Sequence, residues 1–481
     1  MTIQGRRTKI VATLGPASSS AEIIGEMIDA GVDIFRLNFS HGSHADHQKN
    51  IATVREQALL RGRYIGMLGD LQGPKIRIGQ LQQEPMPLAI GDQLVFTLDA
   101  ASADSMQGRV HVTYEPLPSS VAAGDILLLD DGRIRMRVTG VVDEEVHCEV
   151  TQAGLLSSRK GINRLGGGLA ADAITEKDLE DLQCIIENDL EYVAVSFPSH
   201  AEDLKPVRDA LEAAANKARI IAKIERAEVV ETDENLQGII DAADGVMVAR
   251  GDLGVEIGDP QLVGVQKKII QFARMSNKPV ITATQMMESM ITEPVPTRAE
   301  VFDVANAVLD GTDAVMLSGE TASGAFPAEV VRAMADTAIG AEKHPTMSQS
   351  NYRVESTFAS IEECIAMSTM YAANHLDGLS AIVCLSESGN TPLLASRIHS
   401  NLPIYGVSRN LSSCRRMALV RGVIPLYFDA TKSRNNVWDA VMALIAERGE
   451  LQAGQRIAFS CGDFAGQGGS TNTLKLLQYQ P

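Results

Sequence analysis

Aromatic residues are scarce, 4% of a 481-residue chain with a single Trp, so any core must be built from Val, Ile, Leu, Ala and Met. Long apolar runs are missing. Nothing approaches the roughly 18 residues of a membrane helix, and the opening MTIQGRRTKIV has no secretory apolar stretch. The cysteines Cys148, Cys184, Cys364, Cys384, Cys414 and Cys461 form no CxxC pair and no zinc-site spacing. Reduced, buried thiols in a reducing compartment are expected, with the cytoplasm as location. Positive charge is in deficit, 43 Lys and Arg against 61 Asp and Glu for a net charge of −18. That argues against nucleic-acid and membrane partners. An anionic substrate would need a local cluster of cations or a bound metal. The GxxxxGK[ST] pattern is also missing, which excludes a P-loop kinase.

What is present is a globular composition, 45% hydrophobic and 22% charged, and a steady alternation of element types. Short β-rich, nearly all-apolar runs occur at Lys9–Leu14, Asp33–Phe39, Tyr64–Leu68, Tyr192–Phe197, Ile220–Ile224, Gly245–Val248, Val280–Thr284 and Ala314–Leu317. Helical-period stretches lie between most of them, such as Ala21–Ala30, His47–Leu60, Glu176–Asn188, Ala201–Asn216, Gln261–Ser276 and Thr297–Leu309. Apolar strands alternating with helices mean parallel sheet covered on both faces. Eight such units spread over 8–71 and 172–343 come close to the roughly 250 residues of a (β/α)8 TIM barrel. Helix starts are marked by Ser18-Ser19-Ser20, by Thr175 with Asp178, and by Pro296-Thr297.

Residues 72–171 break the pattern with alternating runs at Gln93–Thr97, Ile126–Leu129, Ile134–Val138 and Val146–Val150, punctuated by Gly, Pro and Asp. They read as an all-β domain inserted after strand 3. After a polar stretch at Thr346–Val354, a helix at Ile361–His375 opens an α/β region whose last strand is expected near Ile457–Ser460. The expected fold class is α/β, with a barrel domain over 1–71 and 172–345, the inserted domain over 72–171 and a C-terminal α/β domain over 346–481.

Active sites of these barrels lie at the C-terminal strand ends. Six of the eight ends collect polar residues: Arg36 to His41, Gly69-Asp70, Lys223 to Glu225, Arg250 to Asp252, Thr282 to Gln285, and Ser318 to Glu320. Lys223 and Glu225 are two apart and share one strand face. Glu225 is a hard oxygen ligand for a divalent cation, and Asp252 on the next strand can complete the pair. Lys223 would be a point charge aimed at a phosphoryl group or an enolate oxygen. The plain alternative is an ion pair at a strand end. His41, His44 and His47 cluster at a helix start, where solvated or ligand-proximal roles outweigh zinc. Met286, Met287 and Met290 read as packing residues.

RLNFSHG at 36–42, GPKIR at 73–77, RKGIN at 159–163, AKIER at 222–226, MVARGDLGVE at 247–256, TATQMMESM at 282–290, the stretch 296–322 and STNT at 470–473 resemble the pyruvate kinase family, of the bacterial allosteric type. The resemblance covers essentially the whole chain. It implies phosphoryl transfer from phosphoenolpyruvate to ADP, giving pyruvate and ATP, with Mg2+ or Mn2+ as cofactor, in a homotetramer. Arg36 then contacts the transferred phosphoryl group and Lys223 stabilises the transition state. Glu225 and Asp252 hold the metal, while Gly251, Asp252 and Thr284 receive the phosphoenolpyruvate carboxylate. Arg77 and Lys160 meet the nucleotide phosphates, with Asn38 and His41 close by. Ser318 and Glu320 resemble the proton path to the enolate, for which Thr284 is also a candidate.

A K+ site resembling the family's is formed by Asn38, Ser40, Asp70 and the Leu71 carbonyl. Lys75 and Leu71 match a potassium-independent subgroup, so a Lys75 ammonium is expected where the monovalent cation would sit. Ser386, Ser388, Gly389, Asn390 and Thr391 open a helix after a strand, a good anion site. They resemble an effector loop facing a second loop at 462–470, which implies activation by a phosphorylated sugar or AMP. Two other readings stay open: a metal-dependent pyruvate-enolate lyase or aldolase, which would not need Arg77 and Lys160, and a catalytically silent effector-binding protein.

Overall fold

The structure is a computed structural model describing residues 5–169, 173–348, 353, 355–429, 436–462, 469 and 471–480. Eight parallel strands close a barrel in sequential order: β1 (Lys9–Leu14), β2 (Ile34–Asn38), β3 (Gly66–Asp70), β4 (Tyr192–Val195), β5 (Arg219–Ile224), β6 (Gly245–Ala249), β7 (Val280–Ala283) and β8 (Ala314–Leu317). Their bodies are almost wholly buried, as the apolar runs require. Thr175 and Thr297 each cap a helix in a full capping box, with Asp178 and Glu300 as the returning side chains. No helix among the described residues is long and apolar enough to cross a membrane.

Between β3 and β4 the chain builds a six-stranded sheet, whose strands include Gln93–Thr97, Ile126–Leu129, Ile134–Val142 and Glu145–Gln152, and a two-stranded ribbon. This sheet buries its own apolar cluster around Phe96, Leu127, Ile134 and Val146. The C-terminal region is a five-stranded sheet: β9 (Leu379–Leu385), β10 (Ile404–Ser408), β11 (Val423–Tyr427), β12 (Arg456–Gly462) and β13 (Thr471–Gln478). The last strand expected from sequence was β12. The structure adds β13, antiparallel to it and half exposed at the sheet edge. The boundary at 171/172, most of the loop 462–470 and part of the stretch 346–354 lie outside the described residues.

The C-terminal sheet is anchored under the barrel. Ala418 and Leu419 join Val11, Ile34, Leu68, Ile221, Met247 and Met316 in one buried cluster. Lys9 Nζ donates to the Val423 carbonyl at 2.7 Å. Arg397 forms a fully buried ion pair with Asp313, the residue just before β8.

Candidate active site

β2, β3, β4 and β5 bring one charged knot to the barrel mouth. Lys223 Nζ lies 2.9 Å from Glu225 Oε1 and 3.3 Å from Asp70 Oδ1, and donates to Ser196 Oγ at 2.7 Å. Arg36 Nε donates to Asp70 Oδ2 at 2.6 Å, and its guanidinium also donates to Thr13 Oγ1 at 3.1 Å. Glu225 Oε2 accepts the Phe197 N–H at 2.7 Å. Asp70 and Glu225 are about 1% exposed, so the Lys223–Glu225 pair is no surface ion pair.

Burial alone would lower the Lys223 pKa, but Asp70 and then Glu225 override it and hold the ammonium well above its ordinary range. Burial would raise Asp70, and Lys223 with Arg36 reverses that, keeping the carboxylate charged below its ordinary range. Glu225 moves the other way. Burial raises its pKa, Lys223 opposes the rise, and the like charge of Asp252 adds to it. A hard carboxylate pushed toward its neutral form by burial and by a second carboxylate beside it is one that a divalent cation would relieve. Among the described residues no group of three or more His, Cys, Asp or Glu gathers to hold a metal. The fit is to an ion that takes two carboxylates and completes its shell with water and phosphate oxygens.

Gly251 and Asp252 stand in the first turn of the helix Arg250–Ile257, which begins directly on β6. Thr284 follows β7 with φ +67°, a left-handed conformation costly for a β-branched residue. Arg250 holds that turn through the Thr284 carbonyl at 2.6 Å, and Thr284 Oγ1 accepts the Gly251 N–H at 2.8 Å. Glu320, 2% exposed, accepts the Ser318 N–H at 2.7 Å and the Met287 N–H at 3.2 Å.

The two ends of the inserted domain meet. Arg77 bridges Gly161, its guanidinium donates to the Arg159 carbonyl at 2.9 Å, and Lys160 Nζ pairs with Asp130 at 2.6 Å. Asn38 Oδ1 accepts the Ser40 N–H at 3.1 Å. His41 is exposed, and its carbonyl lies 3.0 Å from His47 Nε2. His44 Nε2 lies 2.6 Å from Asp181 Oδ1. Met286, Met287 and Met290 are buried in the barrel's outer core.

Lys75 departs from expectation. Its Nζ lies 3.2 Å from Asp252 Oδ1 and 3.6 Å from Asp131 Oδ1, and it makes no ion pair with Asp70. Asp70 already carries two cations, Arg36 and Lys223, so the nearest uncompensated negative charge is on the Asp252 side. The ammonium therefore stands beside the candidate metal carboxylate and not among Asn38, Ser40, Asp70 and Leu71.

Two polar groups of the mouth escaped the sequence reading. Thr13 lies inside β1, and Ser196 was placed within the fourth strand, which in fact ends at Val195. They bring the remaining two strands to the mouth. The Ser-Phe-Pro sequence after an apolar run was the only available signal for Ser196.

In the C-terminal sheet, Gly389 with φ +88° precedes the helix Asn390–Ser396. The Gly389 N–H donates to Ser386 Oγ at 3.0 Å, and the Asn390 N–H reaches Ser388 Oγ at 3.4 Å. Asn390 and Thr391 donate to Glu362 at 2.9 and 2.8 Å.

The class is now defined: a (β/α)8 barrel with a β domain inserted after its third strand, a C-terminal α/β domain, and a half-buried lysine held between carboxylates at its mouth. Residues 5–331 match the pyruvate kinase barrel domain and residues 363–477 the pyruvate kinase alpha/beta domain. The chain is 50% identical to pyruvate kinase II of Salmonella typhimurium and 49% identical to a pyruvate kinase of Haemophilus influenzae, each over 98% of both chains. A pyruvate kinase crystal structure from Cryptosporidium parvum superposes with a TM-score of 0.92 at 32% identity, covering 99% of this chain and 97% of the other. The chain belongs to the pyruvate kinase family.

Proposed function

We propose that this mouth transfers the phosphoryl group of phosphoenolpyruvate to ADP. The observation that carries the reading is Lys223, held charged between Asp70 and Glu225 with Arg36 on the same carboxylate. A loose phosphoryl transition state asks for positioning and positive charge, and little covalent work. An acidic chain has concentrated its cations where two polyanions must meet.

Glu225 and Asp252 would hold the divalent cation, Mg2+ or Mn2+, which supplies charge neutralisation to the phosphate oxygens when bound. The helix start at Gly251 and Asp252 would receive the substrate carboxylate, with the Gly251 N–H turning to it from Thr284 Oγ1. Arg36 and Lys223 approach the transferring group, and Arg77 and Lys160 receive the nucleotide phosphates near Asn38 and His41. A β-phosphate oxygen of ADP bonds to phosphorus as the bond from phosphorus to the enol oxygen breaks. The resulting enolate takes a proton at its methylene carbon, on the side lined by Thr284 and Ser318. Glu320 holds that side in place through two backbone N–H groups. An inserted domain closing over the mouth would exclude water as a competing acceptor.

The same reading extends to a cytoplasmic homotetramer. It also includes little need for K+, because Lys75 supplies a resident cation beside Asp252 and Asp70 is already doubly paired. A coupled assay of ATP formation from phosphoenolpyruvate, ADP and Mg2+ tests it, run with and without K+. Wild-type turnover that barely responds to K+ and is abolished in Lys223→Ala is expected. No ATP formed would overturn the reading, and a strong K+ requirement would overturn the role given to Lys75.

A further inference from the structure

Ser196 and Phe197 follow β4 directly, and no role in the reaction has been given to either. Ser196 is 1% exposed. Its Oγ donates to the Leu71 carbonyl at 2.7 Å and accepts from Lys223 Nζ at 2.7 Å. A hydroxyl has one proton, and with that proton spent on Leu71 its lone pairs are left to Lys223. Phe197 has φ +57°, a left-handed conformation that is an outlier for a bulky residue, and it turns its N–H onto Glu225. The pair thus holds Lys223 by a side chain and Glu225 by the backbone.

Behind it stands Gly73, with φ +67°, at the start of the strap from β3 into the inserted domain. A Cβ at Gly73 would lie 2.7 Å from Ser196 Cβ and 3.1 Å from Phe197 Cδ2. The serine is therefore backed against the strap and cannot retreat from Lys223. Asp70 and Glu225 attract the ammonium from two sides, but attraction between charges has little directional preference. The short hydroxyl contact fixes the third direction.

We propose that Ser196 is a positioning residue for phosphoryl transfer, holding the Lys223 ammonium between Asp70 and Glu225 so that it faces the transferring group. This rests on the reaction proposed above. The test is steady-state kinetics and Mn2+ binding on the full chain carrying Ser196→Ala or Ser196→Thr. In Ser196→Ala, kcat falls by about 10- to 100-fold, the scale of a misplaced catalytic group. KM for phosphoenolpyruvate stays within about threefold. Mn2+ affinity without substrates, read from the EPR signal of free Mn2+, is unchanged, because the Phe197 backbone still holds Glu225. Ser196→Thr keeps the hydroxyl and recovers most of the lost kcat. Wild-type kcat in Ser196→Ala would overturn the proposal. So would a kcat loss matched by an equal loss of Mn2+ affinity, or a threonine variant no better than alanine. A wild-type chain that binds Mn2+ yet forms no ATP would remove the reaction itself and this role with it.

Discussion

At the scale of single residues, the same physics that charges Lys223 acts in the opposite sense at the far end of the barrel. Burial pushes the Glu191 carboxyl up to about 7 from 4.5, against Arg415 and the Met67 N–H, and its Oε1 accepts no hydrogen bond among the described residues. Between those two values the unfolded chain has released this proton while the folded chain keeps it. The folded state then binds more protons, so stability is lost as pH rises through the window. Glu191→Gln cannot ionise. Its melting temperature relative to wild type should rise from pH 5 to pH 8, reflecting up to about 3 kcal/mol. A difference that does not change with pH would contradict the buried neutral carboxyl. Residue chemistry was legible in the sequence where type and spacing suffice, as for Lys223 and Glu225 two apart on β5. It was not legible for Lys75, whose partner is decided by which carboxylates are already neutralised, a fact of three dimensions.

At the scale of elements, strands covered on both faces were the easiest to read. Lys9–Leu14 and Ala314–Leu317 fall where their apolar runs lie. The third strand begins later than expected, at Gly66, because Tyr64 turns away to pack on the C-terminal domain, where its hydroxyl accepts the Tyr427 N–H at 3.1 Å. β13 was missed since an edge strand with alternating partial exposure has no continuous apolar run. The helix after β2 starts at His44 and not at His47. Ser43 and Asp46 form its capping box, a signal hidden among three histidines. Ser196 escaped for a related reason: the strand was expected to run to Phe197 and stops two residues earlier, at Val195, which moves Ser196 from the wall to the mouth.

At the scale of the whole molecule, the C-terminal domain is tied to the strands that carry the chemistry. The helix Asn390–Ser396 starts at the candidate effector loop and is followed by Arg397, which grips Asp313 under the barrel. Asp313 also accepts the Val280 N–H at 3.1 Å, and so joins the roots of β7 and β8, whose tops hold Thr284, Ser318 and Glu320. If the loop Ser386–Thr391 takes a phosphorylated effector, Arg397 and Asp313 connect its helix to the roots of β7 and β8. Fructose 1,6-bisphosphate, ribose 5-phosphate or AMP should therefore shift the phosphoenolpyruvate saturation curve to lower concentration. If none of the three moves it, the effector role of that loop fails.

The proposed phosphoryl transfer depends on a single centre at the barrel mouth, and metal binding reaches it most directly. Mn2+ titrated into the full chain and followed by EPR should show one site per chain. Affinity should fall by about 100-fold or more in the double variant Glu225→Gln with Asp252→Asn, since both hard ligands are lost. Mn2+ bound with undiminished affinity and stoichiometry by that variant would place the metal elsewhere and contradict the assignment of the centre.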